Sequence, residues 1–102
     1  MNFGKMMKQV QQAQAKMAVM QEELKNETLE SSAGGGMVKV AITGDLQIQS
    51  ITIDPSAVDP DDVELLQDMV TAAVNEAVRS AQELANQKMQ AITGGVNIPG
   101  FM

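Results

Sequence analysis

The chain holds no cysteine, histidine, tryptophan or tyrosine, and its only aromatic residues are Phe3 and Phe101. Without cysteine there is no disulfide, no thiol nucleophile and no zinc finger. Without histidine there is no imidazole base, no Ser-His-Asp triad and no ordinary histidine metal site. Carboxylates, lysine and serine remain, and a hydroxyl without a positioned base is a weak nucleophile. An enzyme is therefore not expected. No apolar run approaches the roughly 18 residues of a membrane span. Lys5 and Lys8 are followed by glutamine-rich sequence rather than an apolar signal core, so the expected location is the cytoplasm.

With so few aromatics, the core has to come from Val, Ile, Leu, Met and Ala. The length of 102 residues predicts one domain over 1–102. A chain this short has a modest core and often completes it by oligomerising. The net charge of −6 argues against a simple basic nucleic-acid binder. The charge is segregated, however. Residues 1–21 hold Lys5, Lys8 and Lys16 and no acid, a balance of +3, while 22–102 hold 4 bases and 13 acids, a balance of −9.

Phe3, Met6, Val10, Ala13, Met17, Met20 and Leu24 are spaced alternately three and four residues apart, a heptad seam that predicts a long first helix. Such a methionine-rich seam reads first as core or coiled-coil packing. Lys5, Gln9, Gln12 and Lys16 fall on one flank of it. Taken alone they form a solvated helix edge, or a polar edge able to meet phosphates.

The middle predicts a three-stranded antiparallel sheet. The first strand is placed at Glu27 to Ala33. Met37 to Thr43 alternates, with Val38, Val40 and Ile42 on one face. After a turn at Gly44-Asp45, the third strand runs from Leu46 to Ile53. There, Leu46 and Ile48 share one parity and Ile51 and Ile53 the other, which calls for a β-bulge near Gln49-Ser50. Gly34-Gly35-Gly36 is not a phosphate loop, because it leads into a strand rather than a helix. It predicts a turn with unusual dihedrals.

Asp54-Pro55 ends the sheet. Asp59 then reads as the cap of a last helix, Pro60 as its first residue, and Asp61, Asp62 and Glu64 as first-turn acids. The acids lack the glycine and spacing of a calcium loop, so no metal is expected. Val63, Leu66, Val70, Ala73, Val74, Ala77, Ala81, Leu84 and Ala85 form a buried stripe, and the helix is expected to continue to Ile92 and stop at Thr93-Gly94-Gly95. Lys88 interrupts that stripe, so either the helix has left the core there or the lysine snorkels along the opposing helix. Residues 96–102 are short, apolar and irregular, a tail expected either to pack on a partner or to stay flexible. The two helices would be about 36 Å and 50 Å long, more than a compact chain of this size needs. With an uncovered small sheet, this predicts a homodimer that displays protruding arms.

The chain resembles the YbaB/EbfC nucleoid-associated proteins of bacteria. The resemblance rests on Met6-Met7-Lys8-Gln9, on Gly34-Gly35-Gly36-Met37-Val38-Lys39-Val40, on Ile53-Asp54-Pro55 and Val58-Asp59-Pro60-Asp61-Asp62-Val63-Glu64, and on Ala72-Ala73-Val74-Asn75 and Thr93-Gly94-Gly95. It implies an α+β fold assembled as a tweezer-like homodimer. It also implies double-stranded DNA as partner, a place on the bacterial nucleoid, no enzyme activity, and neither cofactor, membrane nor small-molecule substrate. Family members often carry more Lys and Arg near the end of the last helix, whereas Asn86-Gln87-Lys88-Met89-Gln90 holds one base. The expected DNA contact is therefore Lys5, Lys8, Gln9, Gln12 and Lys16 of the first helix, assisted by Lys88, with low sequence selectivity. The competing expectation is a dimeric protein-interaction scaffold that uses its heptad helix and does not bind DNA.

Overall fold

Asn2 starts the first helix, its side-chain oxygen accepting the Lys5 backbone N–H at 3.2 Å. A computed structural model describes residues 2–93. They form α1 (Phe3–Asn26), β1 (Thr28–Ala33), β2 (Val38–Thr43), β3 (Ile48–Ile53), a 3-10 turn at Pro55–Ala57, and α2 (Val63–Thr93). The expected α+β order of helix, three strands and helix is borne out. The predicted tail 96–102 lies outside the described residues.

The sheet is antiparallel throughout, in the order β1-β2-β3. Gly34, Gly35 and Gly36 all have positive φ, 63°, 68° and 91°, and make the β1–β2 turn that only glycine adopts cheaply. Between β2 and β3 the chain turns through Gly44, Asp45 and Leu46. Leu46 stands at φ 68°, a left-handed conformation that is uncommon outside glycine. Ala41 pairs with Ser50 and Ile42 with Ile48, which leaves Gln49 as the extra residue of a bulge. Because of that bulge Ile48, Ile51 and Ile53 pair with Ile42, Val40 and Val38 and share their face of the sheet.

α2 lies across that face. Its Ala73, Ala77 and Ala81, four residues apart on one stripe, are fully buried against Val38, Val40 and Ile42. The small side chains let the helix axis approach the β-branched residues closely. Burying each Val or Ile is worth about 1.5–3 kcal/mol relative to leaving it exposed. The helix covers β1 and β2 and leaves β3 at an open edge. Ile48 and Ile51 are therefore 43% and 44% exposed although they point to the core side.

The start of α2 differs from the sequence expectation. Asp59 does not cap the helix and Pro60 is not its first residue. The Asp59 carboxylate accepts the Asp61 N–H at 2.9 Å and its carbonyl accepts the Asp62 N–H at 2.9 Å, closing a separate turn with Pro60 inside it. Asp62 takes the capping role, accepting the Leu65 N–H at 3.2 Å, and the helix begins at Val63. Val63, placed in the buried stripe by its periodicity, is half exposed because the first turn runs ahead of the contact with the sheet.

Among the described residues, α1 meets the rest of the chain through its C-terminal half. Met20 and Leu24 are its buried residues. Gly44 packs under Leu24, and its N–H donates to the Glu27 carbonyl at 3.0 Å. A Cβ at Gly44 would lie 2.7 Å from the Leu24 carbonyl oxygen, so this contact requires glycine.

Candidate nucleic-acid interface

Residues 2–19 are all exposed, so most of α1 stands off the body of the protein as an arm. The radius of gyration is 19.5 Å, against about 13 Å for a compact chain of about 100 residues. The long axis measures 70 Å, against 27 and 16 Å for the others.

On a helix that turns about 100° per residue, Lys5, Lys8, Gln9, Gln12 and Lys16 fall within one sector about 100° wide. The structure thus brings these five predicted residues onto one continuous exposed flank. No acidic residue precedes Glu22 in the chain. Among the described residues the ion pairs are Arg79 with Glu76, and Lys88 with Glu23 and Glu27. The side chains of Lys5, Lys8 and Lys16 take part in none of these. A row of cations without carboxylate partners is suited to neutralising phosphate oxygens.

Lys88 stands apart from that row. Its ammonium donates to Glu23 at 3.1 Å and lies 3.5 Å from Glu27, and its side chain is only 23% exposed. It reaches across to α1, so of the two readings of its place in the stripe, the one along the opposing helix is correct. The hydrogen bond to Glu23, above all, and the charges of both glutamates hold the ammonium above its ordinary 10.5, against a desolvation that acts the other way. Glu23 and Glu27 escaped sequence reasoning because their partner is more than sixty residues away in the chain. Only the antiparallel approach of α1 and α2 brings them to Lys88.

The same approach leaves a groove of about 410 Å³ between the helices, lined by Ala15, Val19 and Met20 of α1 and by Lys88, Ala91 and Ile92 of α2. Lys16 and Glu23 also border it. The flank that carries the lysines is therefore the side of α1 turned toward α2, and α1 continues past the last described turn of α2. The heptad seam lies on a neighbouring strip. It is covered at Met20 and Leu24 and exposed at Phe3, Met6, Val10 and Met17.

The remaining charged and polar features have local roles. The Asp54 carboxylate accepts the Ser56 N–H at 2.9 Å and the Ser56 hydroxyl at 2.8 Å, and these bonds hold it below its ordinary 3.8. Thr43 donates its hydroxyl to Asp45 and accepts the Gln47 N–H at 3.1 Å, which ties the turn before β3. Among the described residues no group of three or more acidic side chains is arranged to hold a metal ion. Among them, too, no helix is long and apolar enough to cross a membrane.

The profile of the YbaB/EbfC DNA-binding family matches residues 1–96. A nucleoid-associated protein of Desulforamulus reducens is 60% identical over 100 residues, covering 98% of this chain and 95% of its own length. A nucleoid-associated protein of Pelotomaculum thermopropionicum is 57% identical over the same span and coverage. Among solved structures, the crystal structure of the uncharacterised protein HP0035 from Helicobacter pylori superposes with a TM-score of 0.75 at 26% identity, covering 91% of this chain and 96% of that one.

Proposed function

The chain belongs to the YbaB/EbfC DNA-binding family, and from that premise we propose that it is a nucleoid-associated protein that binds duplex DNA as a homodimer through its α1 arms. The observation that carries this reading is the exposed, acid-free flank of Lys5, Lys8, Gln9, Gln12 and Lys16. Lysine and glutamine on phosphates set position rather than read bases, so binding has low sequence selectivity. Lys88 is left out of the contact set: with two carboxylates against its ammonium, it braces α1 against α2. The protein acts without catalysis, metal or nucleotide, in the cytoplasm on the bacterial nucleoid.

Support for the homodimer comes from the open edge of the sheet. Among the described residues β3 is an edge strand with unpaired backbone groups, and it carries the exposed Ile48 and Ile51, a combination that natural proteins cover or pair. A second copy placed there displays two α1 arms related by a twofold axis, and duplex DNA lies against both.

The exposed seam of Phe3, Met6, Val10 and Met17 favours a second reading, a dimeric scaffold that receives a partner helix and leaves DNA alone. A mobility-shift titration with random duplex DNA at two salt concentrations separates the two. Binding that weakens steeply with salt and survives chelator is expected. No shift at the lower salt concentration sinks the DNA reading in favour of the scaffold.

A further inference from the structure

We propose that Lys88 is a positioning residue for DNA binding, a role that rests on the reading of α1 as the DNA-binding arm. Its grip on Glu23 and Glu27 fixes the direction in which the arm leaves the sheet, and so where Lys5, Lys8 and Lys16 meet the duplex. α1 ends at Asn26 and β1 begins at Thr28, so Glu27 alone joins them. The arm turns on this single-residue joint, whose backbone is extended at φ −92° and ψ 131°. The 24 residues of α1 make the arm about 36 Å long. A swing of about 10° at the joint moves its tip by about 6 Å, nearly twice the roughly 3.4 Å between successive phosphates along one strand.

Packing at Met20 and Leu24 and the Gly44 N–H on the Glu27 carbonyl, at 3.0 Å, hold the root close to the pivot. Lys88 adds a hold on two side chains at once. Its ammonium lies 3.5 Å from the carboxylate of the joint residue Glu27 and 3.1 Å from that of Glu23, one turn up the arm. The lysine comes from α2, which is fixed on the sheet through the buried Ala73, Ala77 and Ala81, so it ties the arm to the rigid part of the fold. Without it, two carboxylates four residues apart stand unbalanced at the end of α1, where the helix dipole is negative as well. Lys25 is the basic residue of that last turn, but it takes part in none of the ion pairs among the described residues. The cation that balances the two glutamates therefore comes from the other helix, and losing it frees the joint.

The chain has no cysteine, so Gln11→Cys and Ser32→Cys place one spin label on the exposed arm and one on the exposed side of β1. Labelled chains are diluted with an excess of unlabelled ones, so that only intrachain distances are read. Double electron–electron resonance without DNA should give one narrow distance in the parent and a broadened one in Lys88→Met. Lys88→Arg should keep the narrow distance, because a guanidinium can serve both carboxylates. Glu23→Gln with Glu27→Gln should broaden it as Lys88→Met does, and adding Lys88→Met to that pair should change nothing further. With random duplex DNA, Lys88→Met should bind about three- to tenfold more weakly at an unchanged salt slope. Loss of two phosphate contacts per dimer would instead flatten the slope by about 1.8. A flattened slope, an unchanged affinity, or coincident distances in the parent and Lys88→Met overturns the proposal. Broadened distances in a protein whose parent shifts no DNA refute the DNA reading itself, whereas coincident distances refute the role of Lys88 alone.

Discussion

Reversing two charges on α1 tests directly whether the arm meets DNA. Lys5 and Lys16 lie about 16 Å apart along the helix axis. Duplex DNA of that length carries about ten phosphates, so lysines rather than phosphates limit the contact. With Lys88 neutralised by Glu23 and Glu27, each arm contributes Lys5, Lys8 and Lys16, and a homodimer contributes six lysines. At about 0.9 per neutralised phosphate, the slope of log affinity against log salt is near −5 if all engage and near −3 if about half do. The steeper value corresponds to a loss of about a thousandfold between roughly 50 and 200 mM salt. In a Lys5→Glu, Lys16→Glu variant only Lys8 remains on each arm. The slope should fall to about −2, and the same salt step should cost about fifteenfold. Affinity at low salt should drop as well, because each new carboxylate repels the backbone it replaces a contact with. Both positions are exposed, so stability should stay within about 0.5 kcal/mol. Fluorescence anisotropy with a random duplex, on protein shown to keep its oligomeric state, measures both quantities. If the double variant binds like the parent while Lys88→Met alone abolishes binding, the interface has been placed on the wrong helix.

Three further outcomes follow from the geometry. Sedimentation equilibrium at micromolar concentration should give about twice the 10.9 kDa chain mass, and Ile48→Asp with Ile51→Asp should reduce it to one chain; a folded parent monomer would rule out the tweezer assembly. Gly44→Ala forces a Cβ to 2.7 Å from the Leu24 carbonyl oxygen and 2.9 Å from its side chain, an overpacking worth about 1–3 kcal/mol, and melting should fall by about 4–8 °C for each of them. An unchanged melting temperature would mean that the root of α1 is looser than drawn. Asp54, held low by Ser56, contributes stability that is present above its ordinary 3.8 and lost as pH falls through the lowered value. A carboxyl NMR titration should therefore find it low in the parent and raised in Ser56→Ala, and an ordinary value in the parent would contradict the two bonds to Ser56.

Much of the fold was legible because it is written locally. The three-four spacing from Phe3 to Leu24 declares a helix, and the alternation of Val38, Val40 and Ile42 declares a strand. The parity change between Ile48 and Ile51 announced the bulge that Gln49 supplies. The acid-free run that holds Lys5, Lys8 and Lys16 is likewise a property of sequence alone, as is the family to which the motifs belong. Side-chain periods and charge signs need no partner to be read. The start of α2 was misread within a few residues, because Asp59 and Asp62 are chemically equivalent caps and only the closed turn around Pro60 decides between them. What the tertiary structure alone decided is which surfaces are left over. It covers the heptad seam at Met20 and Leu24 but not at Phe3 or Met6, and it leaves Ile48 and Ile51 uncovered on the core face. It also brings Glu23 and Glu27 against Lys88, which the sequence leaves without a visible partner. Each of these depends on where a helix lies across a sheet or beside another helix, and that placement is set by packing between residues far apart in the chain, which no local pattern encodes.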